Sequence, residues 1–322
     1  MKKKLAVMAL AAATLSMMAM PVYADDLVTV GYAQVGHESD WRTANTQNYQ
    51  DVFSEDAGYS LDLVDCDNDN AAQLEAVRTF ISKDMDYIVI APIQSAGWDT
   101  VLQEAQDAGI PVIIADREIE ASDDLYDAWV GTNTTNEGIT AGNWLAEYLG
   151  DKDANILVIE GSVGASAALG RTEAGEHDNW KILDSQSGDF TQAGGQEVME
   201  SFIKSYEGQF NVVVCQNDNE AYGAMDAMDA AGITYGVDGD VTLISFDATH
   251  DGLQYTLDGK INCDVECNPI QAEVVKGVIE KMQAGEEFEK TTLVEDQAFV
   301  APGIESEYAT TMTDEVLAGR AY

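Results

Sequence analysis

Three of the five arginines, Arg42, Arg117 and Arg171, stand where an apolar run gives way to a loop or helix. The chain carries 58 Asp plus Glu against 16 Lys plus Arg, a formal net charge of −42, so each guanidinium sits among carboxylates. Arg presents a rigid fork of donors that suits carboxylate and hydroxyl oxygens. In open α/β sheets, ligands bind outside the carboxyl ends of the strands. These positions predict a cleft that grips a ligand rich in hydroxyl or carboxylate oxygen.

The neighbours of those arginines sharpen the picture. Trp41 adjoins Arg42, with Gln34 and Glu38 shortly before it. Two readings stand. Either Trp41 packs the first helix and Arg42 is solvated, in a place that the helix dipole disfavours, or an aromatic face and a guanidinium line a cleft mouth. Asp116 and Arg117 repeat the pairing of acid and Arg, and Asn217-Asp218 and Asp247 stand at two further strand ends. Polar groups therefore gather at one edge of both halves, the layout that a pocket for a polar small molecule requires.

Catalytic motifs are missing. Gly161-Ser162-Val163-Gly164-Ala165-Ser166 is neither G-x-G-x-x-G nor a P-loop, which needs Lys. It is not an esterase elbow either. His37, His177 and His250 are scattered, which gives a Ser–His–Asp triad little raw material. Asp65-Cys66-Asp67-Asn68-Asp69 resembles a calcium loop only at first. Asn70 stands where Gly is needed, Ala76 stands at the twelfth position, and a helix N-cap explains the acids better. No cofactor, metal or enzymatic activity is expected. The acidity also makes nucleic acid a poor partner, because nothing offsets phosphate repulsion.

The positioning elements follow from periodicity. Residues 1–24 read as an export signal, with Lys2, Lys3 and Lys4, an apolar stretch from Leu5 to Met20, and an A-x-A-like site that places cleavage after Ala24. The rest exceeds the usual size of one core, so two domains are expected. Strands are predicted over Leu27–Val35, Ser60–Asp65, Tyr87–Ala91 and Ile110–Ala115, with helices over Trp41–Ala57, Asn70–Lys83 and Trp98–Ala108 between them. Gly58 and Gly109 are the expected helix stops. A second set follows: strands at Ile156–Glu160, Ile182–Ser185, Val212–Cys215, Val241–Phe246 and Ile261–Cys267, and helices at Asn136–Leu149, Gln192–Tyr206, Glu220–Ala230 and His250–Leu257. A last helix is expected over Asn268–Ala284, with Pro269 at its start. Apolar strands alternating with amphipathic helices mean α/β lobes with parallel sheets covered on both faces. Cys263 and Cys267 would lie about 13 Å apart along an extended strand, beyond disulfide reach. Cys66 and Cys215 fall in different lobes, so free, buried thiols are expected.

At these residues the chain resembles the periplasmic sugar-binding proteins of ABC importers, within the ribose/galactose-type cluster. It looks most like the galactofuranose-binding branch. The likeness is carried by Gly31-Tyr32-Ala33-Gln34-Val35-Gly36, Glu38-Ser39-Asp40-Trp41-Arg42, Ala91-Pro92, Ala115-Asp116-Arg117, the Gly161–Ser166 stretch, Ser185-Gln186-Ser187-Gly188-Asp189-Phe190-Thr191, Gln216-Asn217-Asp218 and Ser245-Phe246-Asp247. It covers essentially all of the mature chain. The resemblance implies a type I periplasmic binding protein fold, with two doubly wound parallel-sheet lobes joined by three crossovers. One lobe takes residues 25–132 and 268–296, the other 133–267 and 297–322.

The same resemblance implies that Glu38, Trp41, Arg42, Asp116 and Arg117 meet a monosaccharide from the first lobe, and Gln34 joins them on the residue reading, as a donor and acceptor beside Arg42. Arg171, Phe190, Asn217, Asp247 and Glu266 meet it from the second. The partners implied are a monosaccharide and the ABC permease of the inner membrane, and the expected form is an exported, periplasmic monomer. The chain departs from the pattern at Thr172–Trp180, which is shorter than the family's corresponding helix and poor in apolar positions, and this puts the placement of Arg171 at issue. Gln216 and Glu220 also differ around the Asn-Asp pair. Two other classes compete: a receptor that presents its closed form to a chemoreceptor or sensor kinase, and an enzyme.

Overall fold

Runs of Val, Ile and Leu set between amphipathic helices build the first sheet of this computed structural model, which describes residues 27–173 and 177–322. The expected signal over residues 1–24 and part of the short Thr172–Trp180 connection, residues 174–176, lie outside the described residues. In chain order come β1 (Val28–Gln34), α1 (Asp40–Val52), β2 (Tyr59–Asp65), α2 (Asn70–Ser82), β3 (Tyr87–Ile90), α3 (Asp99–Ala108), β4 (Val112–Asp116) and β5 (Ala128–Gly131). Asp69 caps α2 by accepting from the amides of Ala71 and Ala72. Gly109 closes α3 in the left-handed region, a conformation that Gly adopts without steric penalty. Every residue of β3 and β4 is buried, as a sheet covered on both faces requires.

The chain then crosses to a second sheet through α4 (Thr134–Leu149), β6 (Ala154–Glu160), α5 (Ser166–Arg171), β7 (Trp180–Ser187), α6 (Gln192–Tyr206), β8 (Val212–Cys215), α7 (Asp218–Ala231), β9 (Thr242–Asp247), α8 (His250–Leu257) and β10 (Cys263–Glu266). It returns with α9 (Ala272–Ala284), whose Ala272, Val275, Val278 and Ile279 join the first core. β11 (Thr291–Leu293) pairs with β5 in the first sheet. β12 (Ala298–Val300), β13 (Thr310–Thr311) and α10 (Asp314–Ala318) finish in the second lobe.

The sheets run β11-β5-β4-β3-β1-β2 and β13-β12-β10-β9-β8-β6-β7. Strands β1 to β5 and β6 to β10 are therefore wound in the same order, and both sheets are parallel except where β12 meets β10. Three connections pass between them: β5 to α4, β10 to α9, and β11 to β12. The repeat puts the ends of β4 and β9 in equivalent places. This is the expected pair of parallel-sheet lobes.

Several boundaries differ from the periodicity. The first helix stops at Val52, and Glu55–Ala57 form a separate 3₁₀ turn. α9 begins at Ala272, three residues past Pro269. β5, α5 and the short strands β11 to β13 were not foreseen, because two to six residues carry too little periodicity to register.

A cavity of about 800 Å³ lies on one face of the second sheet, lined by residues such as Ala141, Leu145, Val158, Ile182 and Val214. The described residues between α5 and β7 form no helix there. Ile182 is consequently 64% exposed. Arg171 borders this cavity too, but the other polar residues singled out from the sequence gather elsewhere.

Candidate functional site

Ser39 accepts from the Arg42 amide and so starts α1 directly beyond β1. That cap fixes Trp41 and Arg42 at the carboxyl edge of the first sheet. The Arg42 guanidinium is fully engaged at three nitrogens: Nε donates to Glu38 Oε1 at 3.0 Å, Nη1 to Gln34 Oε1 at 3.1 Å, and Nη2 to Asp116 Oδ2 at 2.8 Å. It also lies 4.5 Å over the Trp41 ring. Burial would lower its pKa, but Asp116 and Glu38 hold it above the ordinary Arg value. Asp116 ends β4 with φ 64°, a left-handed conformation that Asp tolerates better than most residues.

Arg117 is engaged far less. Among the described residues its only hydrogen bond goes from Nη1 to Ile93 O at 3.4 Å, and its guanidinium stays 3.8 Å from Glu38 and 3.9 Å from Asp116. Burial and the neighbouring Arg42 lower its pKa. It sits 5.1 Å over the Phe190 ring of the opposite lobe. Nearby, Glu38 Oε2 is buried without a hydrogen-bond partner among the described residues. Burial pushes that carboxyl up, yet Arg42 and Arg117 bring it below its ordinary value.

The second lobe repeats the arrangement. Arg171, at the end of α5, donates from Nε to Glu137 Oε2 at 2.7 Å, from Nη2 to Asp247 Oδ1 at 3.0 Å, and from Nη1 to the Gln216 carbonyl. The short connection after it has not displaced it from the rim. Burial lowers its pKa, but Glu137 and Asp247 leave it well above the ordinary value. Asp247 ends β9 with φ 102°, the counterpart of Asp116. Phe190, at φ 60°, packs its ring against Gly161, where a Cβ would stand 1.9 Å from the ring. Glu220 Oε1 accepts from Phe190 N at 2.9 Å, and Asn217 donates to Phe190 O at 2.9 Å while capping α7.

These side chains converge. Glu38, Ser39, Trp41, Arg42, Asp116 and Arg117 face Ala167, Arg171, Phe190, Asn217, Asp247 and Cys267 across a void of about 20 Å³. The rims touch directly: Asp40 N donates to Asn219 Oδ1 at 3.0 Å, Ser95 N to Gly164 O at 2.9 Å, and Glu118 N to Ser166 Oγ at 2.9 Å. The lobes are therefore shut.

Two of the residues named from the sequence lie elsewhere. Gln34 is buried behind the rim, donating to Tyr32 and Asn45 and accepting from Arg42. Glu266 turns away from the cleft to Arg320 and Tyr322, and its Oε2 accepts from Gln297 N at 2.9 Å. Cys267, the next residue, lines the void in its place. Successive side chains of an extended segment point to opposite sides, so an error of one position exchanges rim for back. The Cys267 thiol shares a 3.2 Å hydrogen bond with Thr132, and burial, followed by Glu137, pushes its pKa well above the ordinary value. All four cysteines are free and buried. Ser39, Ala167 and Cys267 were missed. Ser39 carried a signal, since a Ser directly before a helix marks its cap and hence the rim.

Trp41 satisfies both readings offered for it. It is buried, with its indole N–H donating to Cys267 O across the lobe junction, and it lines the void. Arg42 is not solvated. Among the described residues, no group of three or more His, Cys, Asp or Glu is placed to hold a metal ion.

Comparison with known proteins agrees with this architecture. Residues 30–287 match the periplasmic binding protein domain family. The galactofuranose-binding protein YtfQ of Escherichia coli is 37% identical over 309 residues, covering 93% of this chain and 95% of that one. A Mycobacterium smegmatis protein solved with β-D-fucofuranose superposes with a TM-score of 0.81 at 40% identity, covering 85% of this chain and 91% of that chain. The binding component of an arabinose ABC transporter from Shewanella, solved with α- and β-L-arabinofuranose, gives 0.80 at 34% identity, covering 84% and 91%. By its match over residues 30–287 and its likeness to these relatives, the chain belongs to the periplasmic binding protein family.

Proposed function

We propose that the chain is the extracytoplasmic binding component of an ABC importer and captures a monosaccharide in its furanose form between the two lobes. One observation carries the reading. Buried donors and acceptors are left underused where the lobes meet, with Arg117 engaged only at 3.4 Å and Glu38 Oε2 without any partner among the described residues. A sugar hydroxyl both donates and accepts, so it can satisfy the two at once. Trp41 and Phe190 offer apolar faces to the ring carbons. The three relatives above are named for, or were solved with, furanose sugars, which favours that ring form.

On this reading Glu38, Asp116 and Asp247 accept from hydroxyls, while Arg117, Arg171 and Asn217 donate. Arg42 braces Glu38 and Asp116, and Gln34 braces Arg42. A hydrogen bond to a charged group is worth roughly 1.5–3 kcal/mol, and a buried group left unmatched costs about as much. Epimers are distinguished by that asymmetry. A void of about 20 Å³ has room for about one water, so a sugar enters only when the rims part, and closure then assembles both halves of the site. The bodies that move are residues 25–132 with 268–296, and 133–267 with 297–322. Cleavage after Ala24 releases a monomer that presents its closed form to the permease.

A thermal-shift screen with sugars that populate furanose and pyranose rings tests the proposal. Ligand at about 100 times Kd stabilises the folded state by about 2.7 kcal/mol, so L-arabinose or D-galactose should raise the midpoint by several degrees. A midpoint unmoved by any monosaccharide would overturn it.

A further inference from the structure

The sequence set Gln216 and Glu220 apart on either side of Asn217-Asp218, and the binding reading above gives neither a task. Both lie behind the rim of the second lobe with no exposure to solvent, and neither lines the cleft void. Gln216 Oε1 accepts from Gly161 N at 2.9 Å, and its Nε2 donates to Ala168 O at 3.0 Å. Glu220 Oε1 accepts from Phe190 N at 2.9 Å, and Asn217 Nδ2 donates to Phe190 O at 2.9 Å. Ser187 Oγ donates to Gly161 O at 2.6 Å. The N–H and C=O of Gly161 and of Phe190 are thus all taken by side chains.

The two residues pinned in this way belong together, because the Phe190 ring packs against Gly161. Asp189 and Phe190 both have left-handed backbones, with φ of 55° and 60°. Such non-Gly residues persist only where the surroundings over-determine them. Gly195 brings α6 close enough to α7 for Glu220 to reach the turn, since a Cβ there would stand 2.4 Å from Glu220 O. Among the described residues that line the void, Phe190 is the one aromatic from the second lobe. Arg117 of the first lobe lies over it. Where the ring stands therefore sets the clearance left for the apolar face of a ligand.

We propose that Glu220 and Gln216 are positioning residues that hold the Phe190 ring and its Gly161 floor together and so fix the width of the sugar slot. The inference rests on the binding reading above for what the ring faces. Control of the slot then lies in Gln216–Glu220, which supplies three of the four side chains that bind the two backbones. Gln216 directly follows β8, Asn217 caps α7, and Glu220 stands in its first turn. Removing the acceptor at 220 leaves the buried Phe190 amide unmatched, which costs more than the bond itself is worth. The turn relieves that cost by leaving the left-handed region, and the ring moves with it. A carboxyl oxygen accepts in either protonation state and so does the amide oxygen of Gln, which makes Gln the conservative replacement.

The test compares Glu220→Met, which keeps the volume and removes the acceptor, with Glu220→Gln, which keeps the acceptor. Crystal structures without sugar read the turn directly. Glu220→Met should take Phe190 out of the left-handed region and its ring off Gly161, whereas Glu220→Gln should leave both in place. In calorimetry with D-galactose or L-arabinose, Met should weaken binding at least roughly tenfold, and Gln should restore it to within about threefold of wild type. In a Phe190→Leu background, Glu220→Met should cost less than about twofold, because residues that act as a unit are not additive. Should Glu220→Met not fold, Gln216→Met, which frees Gly161 N, takes its place in the structures and against Phe190→Leu. A ring unmoved in the Met variant, equal losses with Met and Gln, or a Met cost undiminished by Phe190→Leu would overturn the assignment. A wild-type protein that binds no monosaccharide would instead sink the binding reading, leaving the crystal structures to decide whether the ring is held.

Discussion

Arg117 and Arg42 are neighbours of one type in one cleft, yet they differ in what they have left to give. Arg42 spends three nitrogens on Glu38, Gln34 and Asp116, so its loss strands buried carboxylates and endangers the fold. Arg117 has one long bond to a carbonyl. Arg117→Ala should therefore leave the circular dichroism spectrum and cooperative unfolding intact while reducing sugar affinity by tenfold or more, on a loss of roughly 1.5–3 kcal/mol per bond. Near-normal affinity by calorimetry would remove Arg117 from the site. Trp41 bridges packing and binding, since its ring lines the void while its N–H reaches Cys267 O. Trp41→Ala should weaken binding and abolish the fluorescence change on adding sugar. A variant with wild-type affinity and an unchanged ligand response would return Trp41 to packing alone.

At the scale of elements, the cleft is built from short turns at strand ends, and one glycine decides how close an aromatic ring can come. Gly161, directly after β6, carries the Phe190 ring where a side chain would stand. Gly161→Ala should push the ring toward Arg117 and narrow the cleft. Binding should fall more than stability does, measured as Kd against thermal midpoint. A variant that loses stability but keeps affinity would show Phe190 to be a packing residue. The connection from α5 to β7 is the opposite case. Ile182 at the start of the following strand is left exposed, yet Arg171 is held in place by Glu137 of α4, Asp247 of β9 and the Gln216 carbonyl just past β8. The site survives because its anchors are distributed.

At the scale of the molecule, buried carboxyls set a pH dependence. Burial raises Asp218 to about 6 and Asp296 to about 8. Each binds a proton in the folded chain that it releases on unfolding, so their contribution to stability is fullest below the ordinary carboxylate range. It is lost as pH rises from about 4 toward about 8. The thermal midpoint should be higher at pH 5 than at pH 8. Added salt should recover part of the difference by screening a net charge of −42. A midpoint that climbs between those two pH values would contradict the assignment.

Fold class was legible because apolar strands and amphipathic helices alternate twice with similar lengths, and a parallel sheet is the arrangement that buries both strand faces. Most of the rim was legible too, since Trp41, Arg42, Asp116, Arg117, Asn217 and Asp247 stand where strands end, and chain order alone marks those ends. What sequence order cannot convey is which way a side chain points once strands pack. Glu266 and Cys267 exchanged places for that reason, and Gln34 withdrew to hold Arg42. The left-handed turns at Asp116, Phe190 and Asp247 exist only because distant segments supply their hydrogen bonds. Local pattern determined the lobes and their edge; long-range packing decided which groups on that edge remain free to meet a ligand.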